Sequence, residues 1–197
     1  MLPEMPDLVS VYREVREMKH IGTLDIETKQ LLLRKQKIED AADIFCIYGD
    51  SSIVPDPHEN TEQTKNELKT WIKFYDKMDS YAWGIELKAI KKIIGVIFTA
   101  HNDEQNKSCT ISYKISRNHW NNGYATEALY HVIRFLLFDV GYNRVDAGHF
   151  IDNPASGRVM EKAGMKYEGT LRQSHFNWKT GAFIDTKVYG IIKEDMI

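Results

Sequence analysis

The run Asn118-His119-Trp120-Asn121-Asn122-Gly123-Tyr124-Ala125-Thr126-Glu127-Ala128 joins a strand-like segment to the strongest helical pattern in the chain. A tight turn feeding directly into a helix N-terminus aims several unpaired backbone amides at one point and adds the positive end of the helix dipole. Such a turn holds a pyrophosphate without needing a lysine, and Gly123 permits close approach of the backbone. The same residues also fit a plainer assignment, in which Gly123 only shapes the turn and Thr126 or an asparagine caps the helix. A second candidate is Asp152-Asn153-Pro154-Ala155-Ser156, which opens a shorter helix and in which Asn153 or Ser156 suits a cap.

These turns need elements to position them. Ile111, Tyr113 and Ile115 alternate with Thr110, Ser112 and Lys114, which predicts a strand over Cys109–Ile115 ahead of the first turn. Behind it, Ala125, Ala128, Leu129, Val132, Ile133, Leu136, Leu137 and Val140 keep helical spacing until Gly141. Arg144–Phe150 reads as a further strand, Ala155–Ala163 as a helix stopped by Gly164, and late strands near His175-Phe176 and Thr186–Ile192 flank Lys179-Thr180-Gly181.

Upstream, Leu8, Val11, Tyr12 and Val15 suggest a short amphipathic helix, so residues 1–24 are expected to form an N-terminal helical extension to a domain over 25–197. Glu27–Arg34 reads as a first strand. Ile44, Phe45 and Tyr48 mark one helix, and Leu68, Trp71, Ile72 and Tyr75 another, with a loop at Pro55 and Pro57 between them. Strands are expected at Tyr81–Leu87 and Ile93–His101, with 102–107 as a hairpin loop.

The 197 residues, 43% of them hydrophobic, suffice for one domain with a sizeable core. The 26 basic and 28 acidic residues are intermixed and leave a net charge of -2, which gives no long-range pull toward nucleic acid or an anionic membrane. No secretory signal or membrane-spanning run is visible, and Cys46 and Cys109 are both expected in the core of a reduced, cytoplasmic protein. The histidines show no metal-site spacing, so no metal is expected.

Trp120–Ala128 (WNNGYATEA), Asn153–Gly164 (NPASGRVMEKAG), Tyr167–Arg172 (YEGTLR) and Glu27–Arg34 (ETKQLLLR) together resemble the GNAT acetyltransferases, in matching order from about Leu24 to the C-terminus. Within that superfamily the chain is most similar to the branch of ribosomal-protein N-terminal acetyltransferases. The resemblance implies an α/β (α+β) fold: a twisted, mixed, mostly antiparallel sheet with helices on both faces. It places a cofactor cleft between two splayed parallel strands, here about Cys109–Ile115 and Arg144–Phe150.

It further implies acetyl-CoA as co-substrate, with the pantetheine arm paired to the first of these strands at about Ile115. The pyrophosphate would be held by the amides of Asn122, Gly123, Tyr124, Ala125 and Thr126. One departure stands in this loop: Asn121 occupies a position commonly glycine in the family, and asparagine tolerates positive φ better than most residues.

Asn153 and Ser156 match the family's Asn-x-x-Ser, which implies pantetheine contact for Asn153 and a hydrogen bond to the coenzyme sulfur for Ser156. Related enzymes often use a glutamate as base on the cofactor strand or on a late strand. Here Ser112 and Tyr113, and His175, stand at those places. An imidazole titrates near neutrality, which makes His175 the candidate base, alongside a strand histidine with no role.

The function implied is transfer of an acetyl group from acetyl-CoA directly to a primary amine, on a protein N-terminus or a small molecule, by a monomer or homodimer. An acetyl-CoA-binding sensor of the same fold without turnover is the alternative.

Overall fold

The alternation along Cys109–Ile115 belongs to a sheet whose two faces pack against different layers. In the computed structural model, residues 18–177 and 180–196 are described, so the expected helix around Leu8–Val15 and the loop residue Trp178 lie outside them. Strands β1 (Ile26–Glu27), β2 (Leu31–Arg34), β3 (Ala82–Leu87), β4 (Lys92–Asp103), β5 (Ser108–Ile115), β6 (Arg144–Phe150), β7 (Lys166–Asn177) and β8 (Ala182–Ile192) form one sheet. Its order is β1-β2-β3-β4-β5-β6-β8-β7, antiparallel throughout except between β5 and β6.

Helices α1 (Ala41–Tyr48) and α2 (Thr61–Ile72) cover one face; α3 (Tyr124–Arg134) and α4 (Pro154–Lys162) cover the other. Cross-strand partners share a face, so the register assigns the side chains of β5. Tyr113 pairs with Ile97 and joins the larger core with Leu129, Val132 and Ile133 of α3, whereas Lys114 pairs with Val96 and Ser112 with Phe98 on the α1/α2 side. The helical run continues past Arg134 as a wider π turn, Phe135–Val140, before Gly141 ends it at φ 98°.

Three sequence expectations are corrected. Glu27–Arg34 is a hairpin rather than one strand: Thr28 donates its amide to the Leu31 carbonyl at 2.9 Å and folds the chain back, pairing Ile26 with Leu33. The late strands are longer than expected, with β7 running back through Tyr167–Arg172 because it pairs with β8 from Lys166 onward. Cys109 is buried, but Cys46 is exposed. Ile44 and Ile47 carry the buried stripe of α1, and Cys46 falls on the opposite side of that helix.

Residues 18–24 run over the domain as coil. Lys19 donates its amide to the Val140 carbonyl at 2.8 Å, Met18 and Ile21 pack on the larger core, and Trp83 donates its indole N–H to the Leu24 carbonyl at 2.7 Å. At the end of β2, Arg34 binds Asp40 at 2.8 Å and Glu86 at 2.6 Å, which fixes the approach to α1.

Glu127, in the first turn of α3, accepts from Thr28 Oγ1 (2.6 Å), the Gln30 amide (2.7 Å) and Gln30 Nε2 (2.8 Å). Partial burial pushes this carboxyl up, yet the bonds from Thr28 and Gln30 together outweigh it and hold it below the usual range. Its stabilising effect is therefore complete above the unfolded glutamate value of about 4.3 and is lost as pH falls through the lower folded value. Glu127→Ala is expected to cost about 1–3 kcal/mol in urea unfolding at pH 7, and less at pH 3.

Candidate active site and cofactor cleft

The parallel ladder between β5 and β6 covers only Ser108↔Arg144, Cys109↔Val145 and Thr110↔Asp146, where Thr110 Oγ1 also donates to Asp146 at 2.7 Å. Beyond it, β5 stays with β4 up to Ile115 and β6 stays with β8 up to Phe150, so the two strands part into a gap. The Ser116 amide bonds the Ile94 carbonyl at 2.8 Å, which makes Gly95 and Ile115 a non-hydrogen-bonded pair. Consequently the peptide groups of Ile111, Tyr113 and Ile115 face the gap, while those of Ser112 and Lys114 face β4. The Ile115 carbonyl accepts the Trp120 indole at 2.7 Å, which anchors the following turn to the strand.

That turn passes through Asn121 at φ 62° and Gly123 at φ 82°, both left-handed, before α3 begins at Tyr124. Asparagine thus adopts the glycine-like conformation its position demands. Gly123 is the N-cap residue and no side chain caps α3; Asn122 instead bonds back to the Trp120 carbonyl at 2.9 Å. Among the described residues, the amides of Asn122, Gly123, Tyr124, Ala125 and Thr126 meet no protein acceptor. A Cβ at Gly123 would have no heavy atom within 4 Å, so the space before these amides is open. Free amides at a helix N-terminus with open space ahead suit a pyrophosphate.

At the other side of the gap, Asn153 caps α4 by accepting from the Ser156 amide at 3.4 Å, and Pro154 occupies the first turn. The helix seats closely because residue 157 is glycine: a Cβ there would lie 2.6 Å from His149 Nε2 and 3.1 Å from the Tyr189 hydroxyl. Ser156 meets a residue that sequence reasoning gave no role. The Tyr113 hydroxyl lies 2.8 Å from Ser156 Oγ and 3.0 Å from the Ser156 carbonyl, joining β5 to α4. Burial pushes this phenol up to about 12, against the pull of its bond to Ser156, so it stays a protonated donor near neutral pH. The alternation of β5 put Tyr113 on the core face, but its reach to Ser156 is a tertiary contact with no sequence signal.

His175 lies on the exposed side of β7, opposite Ile184, with its ring stacked on Phe150 at 4.2 Å between centroids. Phe150 ends β6, so this imidazole stands at the far end of the strand that borders the gap. No hydrogen bond joins His175 to Ser156 among the described residues. No group of three His, Cys, Asp or Glu side chains suited to a metal occurs among the described residues, and no described helix is long and apolar enough to cross a membrane.

The acetyltransferase (GNAT) domain family matches residues 30–166. The chain is 32% identical over 172 residues to the uncharacterized N-acetyltransferase YoaA of Bacillus subtilis (strain 168), covering 85% of this chain and 96% of that protein. In fold it is similar to the ribosomal-protein-S5-alanine acetyltransferase of Vibrio fischeri, with a TM-score of 0.75 at 18% identity, over 87% of this chain and 98% of that one. It is also similar to the microcin C7 self-immunity acetyltransferase solved in complex with acetyl-CoA and AMP, with a TM-score of 0.73 at 20% identity, over 84% of this chain and 93% of that one. The chain belongs to the GNAT family and is an acetyl-CoA-dependent acetyltransferase.

Tyr113→Phe removes one hydroxyl and keeps the ring. It is expected to cost about 1 kcal/mol of stability in urea unfolding, because Ser156 Oγ loses its partner. A loss indistinguishable from zero would mean that water replaces the phenol at Ser156.

Proposed function

We propose that this protein acetylates a primary amine, either a protein N-terminal α-amine or a small-molecule amine, with acetyl-CoA held in the gap between β5 and β6. The observation that carries this proposal is the early end of the β5–β6 ladder, which leaves the peptide group of Tyr113 and the amide of Ile115, whose carbonyl is taken by Trp120, to pair with an extended amide-bearing arm. The free amides of Asn122–Thr126 stand at the C-terminal end of the same strand and take the pyrophosphate. Asn153 contacts the arm with the side-chain amide that its capping role leaves available.

When bound, the coenzyme supplies an activated acetyl thioester. The chain's own residues orient it and manage protons. The Ser156 hydroxyl, steadied by Tyr113, donates a hydrogen bond to the departing sulfur. His175, held flat on Phe150, accepts the proton of the incoming amine directly or through water. The pyrophosphate turn, α3 and α4 lie on one face of the sheet, which leaves the α1/α2 face for the amine. Intermixed surface charge and the absence of a predicted disulfide framework support action in the cytoplasm, alone or as a homodimer.

The decisive experiment is calorimetric titration with acetyl-CoA, followed by free-thiol release against a panel of peptides and small amines. Binding with amine-dependent release is expected; binding without release from any amine would identify a sensor, and no binding would overturn the cleft assignment. Gly123→Val is expected to weaken acetyl-CoA binding by about 100-fold, about 2.7 kcal/mol, since its side chain enters the open space before the amides and a β-branched residue strains the turn at φ 82°. His175→Ala should slow turnover about 100-fold at neutral pH while leaving acetyl-CoA affinity unchanged. An unaltered pH-rate profile in that variant would remove His175 as base.

A further inference from the structure

Among the described residues, Lys114 is a cation without a counter-charge. It stands on β5, the strand that borders the gap, and its side chain lies on the α1/α2 face opposite Val96. Its Nζ sits 5.5 Å from the ring centre of Tyr48, at the end of α1, and 5.2 Å from that of Phe98 on β4. No carboxylate of the described residues comes within ion-pairing distance of it. Two acids on the α1/α2 side have other partners: Asp50 accepts from Ser52 at 2.6 Å and Arg117 at 3.1 Å, and Glu67 lies 3.1 Å from His58.

Burial pushes the Lys114 ammonium below the usual lysine range, and no acid raises it again. Two aromatic faces offset part of that cost, but a ring face accepts no conventional hydrogen bond, and the ammonium carries three donors. The side chain is half-buried, and a cation drawn partly out of water gains from a paired anion. Here the missing partner would stand on the face left to the amine.

We propose that Lys114 recognises a carboxylate on the acceptor, so that the acetylated amine belongs to an amino acid or to a peptide whose N-terminal residues are acidic, and not to a polyamine. The inference rests on the amine entering from the α1/α2 face. Lys114 is a specificity residue in this scheme: it binds the acceptor and takes no part in proton transfer.

The test pairs free amino acids with their amides, peptides beginning in Asp or Glu with those beginning in Asn or Gln, and adds spermidine. For whichever source is used, kcat/KM is expected to favour the carboxylate member by about tenfold or more. Lys114→Met, similar in length and uncharged, should erase that preference by lowering kcat/KM for the carboxylate member about tenfold, while leaving acetyl-CoA affinity unchanged. A second arm needs no turnover: binding of N-acetylated amino acids against N-acetylated amides, followed by ligand-observed NMR in both proteins. If transfer is absent but the acetylated acids bind in a Lys114-dependent way, the acetyl-transfer reading fails and this one stands. Equal binding of acid and amide by the wild type, a preference that survives Lys114→Met, or a preference for spermidine would overturn it.

Discussion

The molecule is organised around a parallel strand pair that stops after Thr110 and Asp146. Backbone polar groups need partners, and each strand finds them on its outer side, β5 from β4 and β6 from β8. The inner edges are left facing one another across a gap. An unpaired pair of edges inside a sheet is costly unless something extended and amide-bearing completes it, and a pantetheine arm is such a group. The rest of the fold keeps the gap open and fills its ends: α3 brings its free amides to one end, and α4, seated through Gly157, brings Ser156 against Tyr113 at its side.

The two faces of β5 divide the chemistry. Tyr113 and Ile115 turn inward to the core under α3 and α4, with Tyr113 spanning to Ser156, while Ser112 and Lys114 turn toward α1 and α2. Because the side-chain period of a strand is two, a one-residue slip would exchange these sets and bury a lysine beneath α3. The turn at Trp120–Gly123 protects against that slip: the Trp120 indole is fastened to the Ile115 carbonyl, and two left-handed residues then set the direction of α3.

Much of this architecture was legible in the chain. Ile111, Tyr113 and Ile115 announced β5 through alternation, Arg144–Phe150 was assigned to the residue, and the helical spacing from Ala125 led directly to the free amides ahead of α3. Where the expectations failed, the deciding interaction was non-local or hidden by composition. The apolar run Leu31–Leu33 masks a preceding turn that Thr28 and distant Glu127 create. Cys46 looks like core by type, yet it is exposed because the stripe of α1 is set by Ile44 and Ile47. The Tyr113–Ser156 contact joins residues 43 positions apart, and local pattern carries no trace of such a meeting.

Helix α3 and its π-turn extension are gripped near both ends by one stretch of chain. Glu127 in the first turn holds Thr28 and Gln30, and the Val140 carbonyl at the far end holds the Lys19 amide. In mechanical terms this is a beam clamped at both supports rather than a cantilever, and a clamped beam resists rotation at its ends as well as bending along its length. The amides at its start therefore keep a fixed bearing relative to β5. Any widening of the gap falls to β6, β8, the β7 strand paired with it, and α4, and stretches the Tyr113–Ser156 contact that ties them to this frame.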